Sequence, residues 1–334
     1  MKTTIRLSTA LLALAAVLSG TAGSASAFDR GPFHGAGPFP RPQRVVFVQT
    51  DNPAGNQVVA YDRGLNGTLT QAGTFDTGGL GGVLSGSEVD HLASQGSLAY
   101  DEDNSLLYAV NAGSNTISVF SVDGDRLVLR QVLSSGGAFP VSIAVSRGLV
   151  YVLNAEEGGS VQGFATAFGH LVAIPGSNRP LGLNPSATPQ FVNTPGQVAF
   201  SPNDQQLIVT TKANGSDIDV FHVGPFGQLS TTPVVNPEGE TVPFAISFDR
   251  EGHLVIAEAA GFLASFSLNG DGTVTQLGSV ATEQKATCWV VADGSFFLTS
   301  NAGSASIRVK ASSAGSIVTR STNSAAPASQ RVAR

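Results

Sequence analysis

A chain of 334 residues with 39 glycines and only 13% charged residues can bury a sizeable core, and all-β folds of this size form single domains. The net charge of −6 excludes a phosphate-backbone binder, which needs clustered Lys and Arg. The single cysteine, Cys288, excludes an intrachain disulfide, so the core alone must hold the fold.

The first 27 residues read as a secretory signal. Lys2 and Arg6 precede the apolar run Leu7–Leu18, which is too short to span a membrane, and Ala25-Ser26-Ala27 is a small-residue cleavage site. Cleavage after Ala27 and an extracellular or cell-envelope location are the expectation. Residues 28–44 carry Pro32, Pro38, Pro40 and Pro42 and read as an extended leader. No later segment approaches a membrane span.

From Val45 onward the pattern is short strands and Gly-, Asn- and Asp-rich turns, with no sustained 3.6-residue apolar period. The first unit predicts strands at Val45–Gln49, Gln57–Asp62 and Thr68–Gln71. The segment 77–95, rich in glycine and containing His91, reads as an insertion. Its glycines lack the strand–turn–helix context of a phosphate loop. The second unit, residues 96–133, is the cleanest. It predicts strands at Ser97–Asp101, Leu106–Asn111, Thr116–Val122 and Leu127–Leu133, the last after the hairpin signal Asp123-Gly124-Asp125. Copies begin near residues 138, 196 and 242, and a sixth near 285. Second strands end at Asn111, Asn154, Thr211, Glu258 and Asn301, at spacings of 43, 57, 47 and 43 residues. The longest interval holds a Pro-rich insertion. A four-stranded unit at this period predicts an all-β propeller whose blades bury their faces on one another. After Ile307 the sequence turns polar and basic, so 45–307 is read as the propeller and 308–334 as a disordered tail. About five and a half blades are then recognisable. Either closing blades are lost by truncation, or the ring is smaller or completed by an oligomer.

In a propeller the first strand of each blade lines the channel and the second returns to the same face, called the top. The loops there bring together His91, Asn111, Asn154, Glu157, Lys212, Glu258 and Asn301. Glu258 ends an apolar strand, and partial burial would raise its pKa towards that of a general base. Lys212, after the equivalent strand, could polarise a lactone carbonyl or hold an anion. The competing reading is a plain ion pair between them. His91, Asn111, Asn154, Glu157 and Asn301 are candidate substrate-binding groups. Asp101–Asn104 and Asp249–His253 fall at the bottom and fit turn chemistry. The five histidines show no metal-ligand spacing, so neither metal nor cofactor is expected. Cys288, beside Trp289, reads as a small packed hydrophobe.

Gln197-Val-Ala-Phe-Ser-Pro-Asn203, Leu207-Ile-Val-Thr-Thr-Lys212 and Val242–Ala259 resemble successive blades of the lactonase-type seven-bladed β-propellers. Tyr108-Ala-Val-Asn111 and Tyr151-Val-Leu-Asn154 are similar to that family's repeat. The resemblance covers about 45–307. It implies a seven-bladed fold and activities such as those of 6-phosphogluconolactonases and carboxymuconate-lactonising enzymes. The channel strands here, Val141-Ser142-Ile143 and Gln197-Val198, offer few cations, which fits a sugar phosphate poorly. The reading is a secreted lactonase-like propeller that hydrolyses or forms a small lactone at its top face. The alternative is a non-catalytic secreted or cell-surface binding scaffold. Either takes a small-molecule ligand and no nucleic acid; the sequence does not set an oligomeric state.

Overall fold

The computed structural model describes residues 45–313 and 316–318. Residues 1–44, where a signal sequence and leader are expected, and residues from 319 onward lie outside them. The described chain forms six antiparallel sheets, each a simple meander. Blade 1 is β1 (Val45–Gln49), β2 (Gln57–Arg63) and β3 (Leu69–Asp76). Blade 2 is β4 (Leu98–Asp101), β5 (Leu106–Asn111), β6 (Thr116–Asp123) and β7 (Arg126–Ser134). Blade 3 is β8 (Pro140–Ser146), β9 (Leu149–Asn154), β10 (Ser160–Ala167) and β11 (His170–Ala173), with the two-residue β12 (Arg179–Pro180) also paired to β10.

Blade 4 is β13 (Pro195–Phe200), β14 (Gln206–Thr211), β15 (Asp217–His222) and β16 (Val234–Pro237). One helical turn, α1 (Gln190–Asn193), precedes it. Blade 5 is β17 (Pro243–Phe248), β18 (Leu254–Glu258), β19 (Phe262–Leu268) and β20 (Val274–Ala281). Blade 6 is β21 (Thr287–Asp293), β22 (Phe296–Asn301), β23 (Ser306–Ser313) and β24 (Ser316–Val318). The expected propeller is therefore present.

Burial follows position in the blade. Every residue of β5, β14 and β18 is buried, because a second strand is covered on both faces by neighbouring blades. That is why these strands read as continuous apolar runs. The outer strands β7 and β20 alternate between exposed and covered residues. Seams between blades are apolar: Val58, Leu107 and Phe120 join blades 1 and 2, and Ile218, Ile246 and Ile256 join blades 4 and 5. A larger cluster runs through blades 2, 3 and 4.

The break placed after Ile307 is corrected. β23 pairs with β22 from Ser306 to Ala311, and β24 completes the sheet, so blade 6 continues to Val318. Arg308 and Lys310, two of the basic residues that suggested a tail, sit in β23, held by its ladder, and the others lie outside the described residues. Lys310 is buried and its Nζ donates to Ala281 O of blade 5 at 3.0 Å. A strand fastened by backbone bonds and one lysine needs little apolar surface, which is why its sequence looked unstructured.

The insertion at 77–95 is the larger surprise. It lies across the top of the channel as a plug, with Leu84, Leu92 and Ala93 built into the core. Its glycines permit this approach. A Cβ at Gly81 would stand 2.2 Å from the Asp51 carbonyl, and one at Gly79 would stand 2.4 Å from the Asn111 side chain. Gln95 ends the plug inside the channel. Its N–H donates to Gly196 O at 3.1 Å, and its carbonyl accepts the Ser142 hydroxyl at 2.6 Å. Its Nε2 donates to Val290 O at 3.0 Å and Ile246 O at 3.4 Å, while Oε1 accepts Val290 N at 3.2 Å. One residue thus reaches the inner strands of blades 3, 4, 5 and 6.

Gln95→Leu keeps the volume but leaves the Val290 N–H and C=O facing an apolar side chain. A stability loss of about 1–3 kcal/mol is expected for such buried unpaired groups. Chemical denaturation followed by circular dichroism measures it. Stability equal to the parent would show that Gln95 only fills space.

Candidate functional site

Asn111, Asn154, Thr211, Glu258 and Asn301 each end the second strand of their blade, as the repeat spacing predicts. The three asparagines are buried and tie down their own turns. Asn111 Nδ2 donates to Ser118 Oγ at 2.8 Å and Thr116 Oγ1 at 3.1 Å, and its Oδ1 accepts Asn56 Nδ2 at 3.0 Å. Asn301 Oδ1 accepts the Thr287 hydroxyl at 2.7 Å, and its Nδ2 donates to Ser306 O at 3.1 Å. Asn154 donates weakly to Ser135 O and Ser160 Oγ, and its Oδ1 has no partner.

Lys212 is 1% exposed. Its ammonium is gripped by two carbonyls, Ala93 O of the plug at 2.6 Å and Phe191 O of α1 at 2.7 Å, and lies 5.0 Å from the Phe244 ring centre. Burial pulls its pKa down to about 7, opposed by the negative charge of Asp90 and then by Cys288. Asp90, on the plug, is pushed up by burial and restrained by hydrogen bonds from the Ser94 and Leu92 N–H groups. Cys288 is buried, and burial pushes its thiol up to about 12, as befits a packed hydrophobe.

Glu258 is 2% exposed and forms no ion pair with Lys212. It faces blade 4. Burial first, and the Glu238 charge second, raise its pKa to about 7, while the Thr241 side chain works the other way. Its Oε1 has no hydrogen-bond partner. Lys212 and Glu258 therefore belong to two separate environments, one under the plug and one in the seam between blades 4 and 5. Sequence could not separate them, because both follow from the same end-of-strand position.

His91 sits on the plug, about half exposed, with Nδ1 4.0 Å from Asp51 Oδ2. Asp51 is raised to about 7 by burial and by Asp90, against hydrogen bonds from Gly82 N–H and the Gln49 side chain. Glu157 lies elsewhere. It is an exposed residue at φ 57° in the β9–β10 turn. With Glu156, Asn184, Gln190, Asn193 and Asn214 it lines a small cleft of about 30 Å³ at the top of blades 3 and 4. Gln190 Nε2 donates to Glu156 Oε1 at 3.3 Å and its Oε1 accepts Ser85 N at 3.0 Å, so the plug forms part of the cleft's support. Asn214 Nδ2 clamps Asn184 O at 3.0 Å and Asn193 O at 3.1 Å. No Lys, Arg or His lines the cleft. The Pro-rich insertion that builds half of it was legible only as an interruption of the repeat.

At the bottom, Asp249 Oδ1 accepts the N–H groups of Glu251 and His253, the expected turn. His253 Nδ1 is 2.8 Å from Asp249 Oδ2, and ligand atoms of Asp249, Glu251 and His253 lie within 4.8 Å of one another.

Six sheets arranged as blades around a plugged channel, with polar loops gathered on one face, define a β-propeller. Residues 31–168, which run through blades 1 and 2 and into blade 3, match the family model described as "Lactonase, 7-bladed beta-propeller". The match covers under half of the chain and marks it as similar to lactonase-type propellers over that stretch; the family model has seven blades, and the described residues here form six. Solved structures share the fold. A periplasmic gluconolactonase from Pseudomonas aeruginosa superposes with a TM-score of 0.60 at 16% identity, covering 82% of this chain and 80% of that one. A putative 6-phosphogluconolactonase from Bacteroides uniformis gives 0.57 at 20% identity, covering 79% and 76%. A protein from Lactobacillus plantarum gives 0.65 at 16% identity, covering 83% and 81%. No curated protein sequence matches the chain.

The buried carboxyls make stability depend on pH in a definite direction. Asp51, Asp219, Glu238 and Glu258 are each raised to about 7, so between about pH 4 and pH 7 the folded chain holds protons that the unfolded chain has released. Stability falls as pH rises through that window. Lys212 acts oppositely: lowered from 10.5 to about 7, it lets stability recover as pH rises above 7. The melting temperature in chelator-treated buffer is expected to pass through a minimum near neutral pH. Glu258→Gln should flatten the acid limb. A profile that rises steadily from pH 5 to 7 would contradict this account.

Proposed function

We propose that the protein is exported by its N-terminal 27 residues and hydrolyses a small, neutral, hydroxyl-rich lactone in the cleft at the top of blades 3 and 4. The observation that carries this reading is the lining of that cleft. Two carboxylates and several side-chain amides suit sugar-like hydroxyls, and the absence of any basic side chain disfavours a phosphorylated or polycarboxylate substrate. The lactonase-type fold supplies the reaction class. Glu157, exposed and outside any ion pair among the described residues, takes a proton from water as the water attacks the lactone carbonyl. The ring C–O bond then breaks, and the proton passes to the departing ring oxygen, leaving the open-chain hydroxy acid. Asn184 stands on the same wall as a donor to the carbonyl oxygen.

A second reading keeps Glu258 as the base, without Lys212, whose ammonium is held under the plug. It is favoured by the unpartnered Glu258 Oε1 and by a carboxyl poised near 7. It requires substrate to enter the seam between blades 4 and 5.

A panel of aldonolactones, assayed by pH-stat on the exported protein, distinguishes them. Glu157→Gln should lower kcat by about 10²–10⁴-fold with little change in KM. Undiminished turnover in that variant, with turnover lost in Glu258→Gln, would move the base to the second site. A wild-type protein that turns over no lactone would leave the binding-scaffold reading in place.

A further inference from the structure

We infer that the top of the seam between blades 4 and 5 is a binding site for a hard divalent cation, calcium by preference, held by the carboxylates of Glu238 and Glu258 and the hydroxyls of Ser216 and Thr241. This inference does not depend on the lactonase reading.

Strand periodicity brings the four residues together. Ile218 and Val220 of β15 pack into the seam with Ile246 and Ile256. Glu258, two residues beyond Ile256 in β18, falls on the face towards blade 4, and Ser216 precedes β15 at a left-handed φ of 60°. Asn236 of β16 is fastened across the seam, donating to Gly272 O at 3.1 Å and accepting Val274 N at 2.9 Å. Glu238 lies two residues further along that edge. Backbone bonds fix the rest: Glu238 N to Ser216 O at 2.8 Å, Thr241 N to Glu238 O at 3.4 Å, and Ala260 N to Thr241 O at 3.1 Å.

The chemistry of the group is unbalanced without a ligand. Ser216 is 7% exposed and Glu258 2%. Ser216 Oγ and Glu258 Oε1 are buried with no well-formed hydrogen bond, and only the Thr241 hydroxyl stands beside the Glu258 carboxyl. Oxygens left so poorly satisfied at one place are unusual, since buried polar atoms are nearly always satisfied. The negative charge of Glu238 reaches Glu258, and neither carboxylate joins an ion pair among the described residues. Ionising both without a counter-charge is costly. A dication matches both. The donors are all oxygen, which selects a hard ion, and their mixed, unsymmetrical arrangement suits calcium's flexible shell better than magnesium's octahedron. Glu238 is only partly buried, so water can complete the shell from the solvent side.

Isothermal titration of chelator-treated full-length protein with calcium chloride, without any lactone, tests the site. One ion per chain is expected, with a rise in melting temperature of about 5 °C at a concentration about 100 times Kd. Glu258→Gln and Glu238→Gln should each weaken binding at least about tenfold, and Ser216→Ala less. Circular dichroism checks that the variants fold, and the half-exposed Glu238 position serves if the buried ones do not. Absence of both heat and thermal shift would overturn the proposal. So would unchanged affinity in the Glu238→Gln/Glu258→Gln double variant, or loss of binding in Asp249→Asn instead, which would assign the ion to the bottom turn. Lactone turnover is read separately, so failure of the proposed reaction leaves this result standing, and the reverse holds too.

Discussion

The blades of this propeller are joined at their seams by apolar side chains, but their convergence at the channel depends on hydrogen bonds from one glutamine. Gln95 offers two donors and two acceptors to inner strands that cannot bond one another, because the inner strands of a propeller splay apart. Its neighbours extend the effect: Ser94 Oγ donates to Val141 O at 2.8 Å, and Gly96 O accepts Ile143 N at 2.8 Å. A polar group at the centre of a ring is satisfied only if every spoke is in place. The plug is therefore a register device as much as a filler.

Filling the channel top also changes the chemistry available there. Lys212 would be a solvent-facing cation at the mouth of an open channel. Beneath the plug it becomes a clamp between two carbonyls, with Asp90 as its charge partner. The polar face is thus divided. Groups near the axis are buried and carry shifted proton affinities, while the open cleft lies off-axis over blades 3 and 4, where the Pro-rich insertion and the β9–β10 turn raise a wall. A substrate cleft there and an ion site in the next seam are compatible, since Glu258 and Glu157 rise from different blades.

The fold was legible because its signals are local and repeated. Leu106–Asn111 and Val45–Gln49 were bounded to the residue, since an apolar run between turn residues has few other readings. The end-of-strand alignment placed all five positions correctly. What failed was the part without periodicity. β23 was missed because a strand secured by its ladder and by Lys310 can be polar. The plug was seen only as an insertion, because nothing in 77–95 announces which carbonyls Gln95 or Ala93 will meet. Site residues suffered the same limit. Strand-end position was legible, but whether a side chain there is buried like Asn111 or open like Glu157 depends on contacts made by segments distant in sequence.

One feature of the plug gives the protein its own optical probe. The chain has a single tryptophan, and its indole N–H donates to Ser94 O at 2.9 Å while its ring meets Phe244 edge-on, with centroids 5.9 Å apart. Trp289 belongs to blade 6, Phe244 to blade 5 and Ser94 to the plug. The emission of that lone indole therefore reports the junction of all three, and undocking of the plug would shift its wavelength even while the sheets keep their far-ultraviolet dichroism.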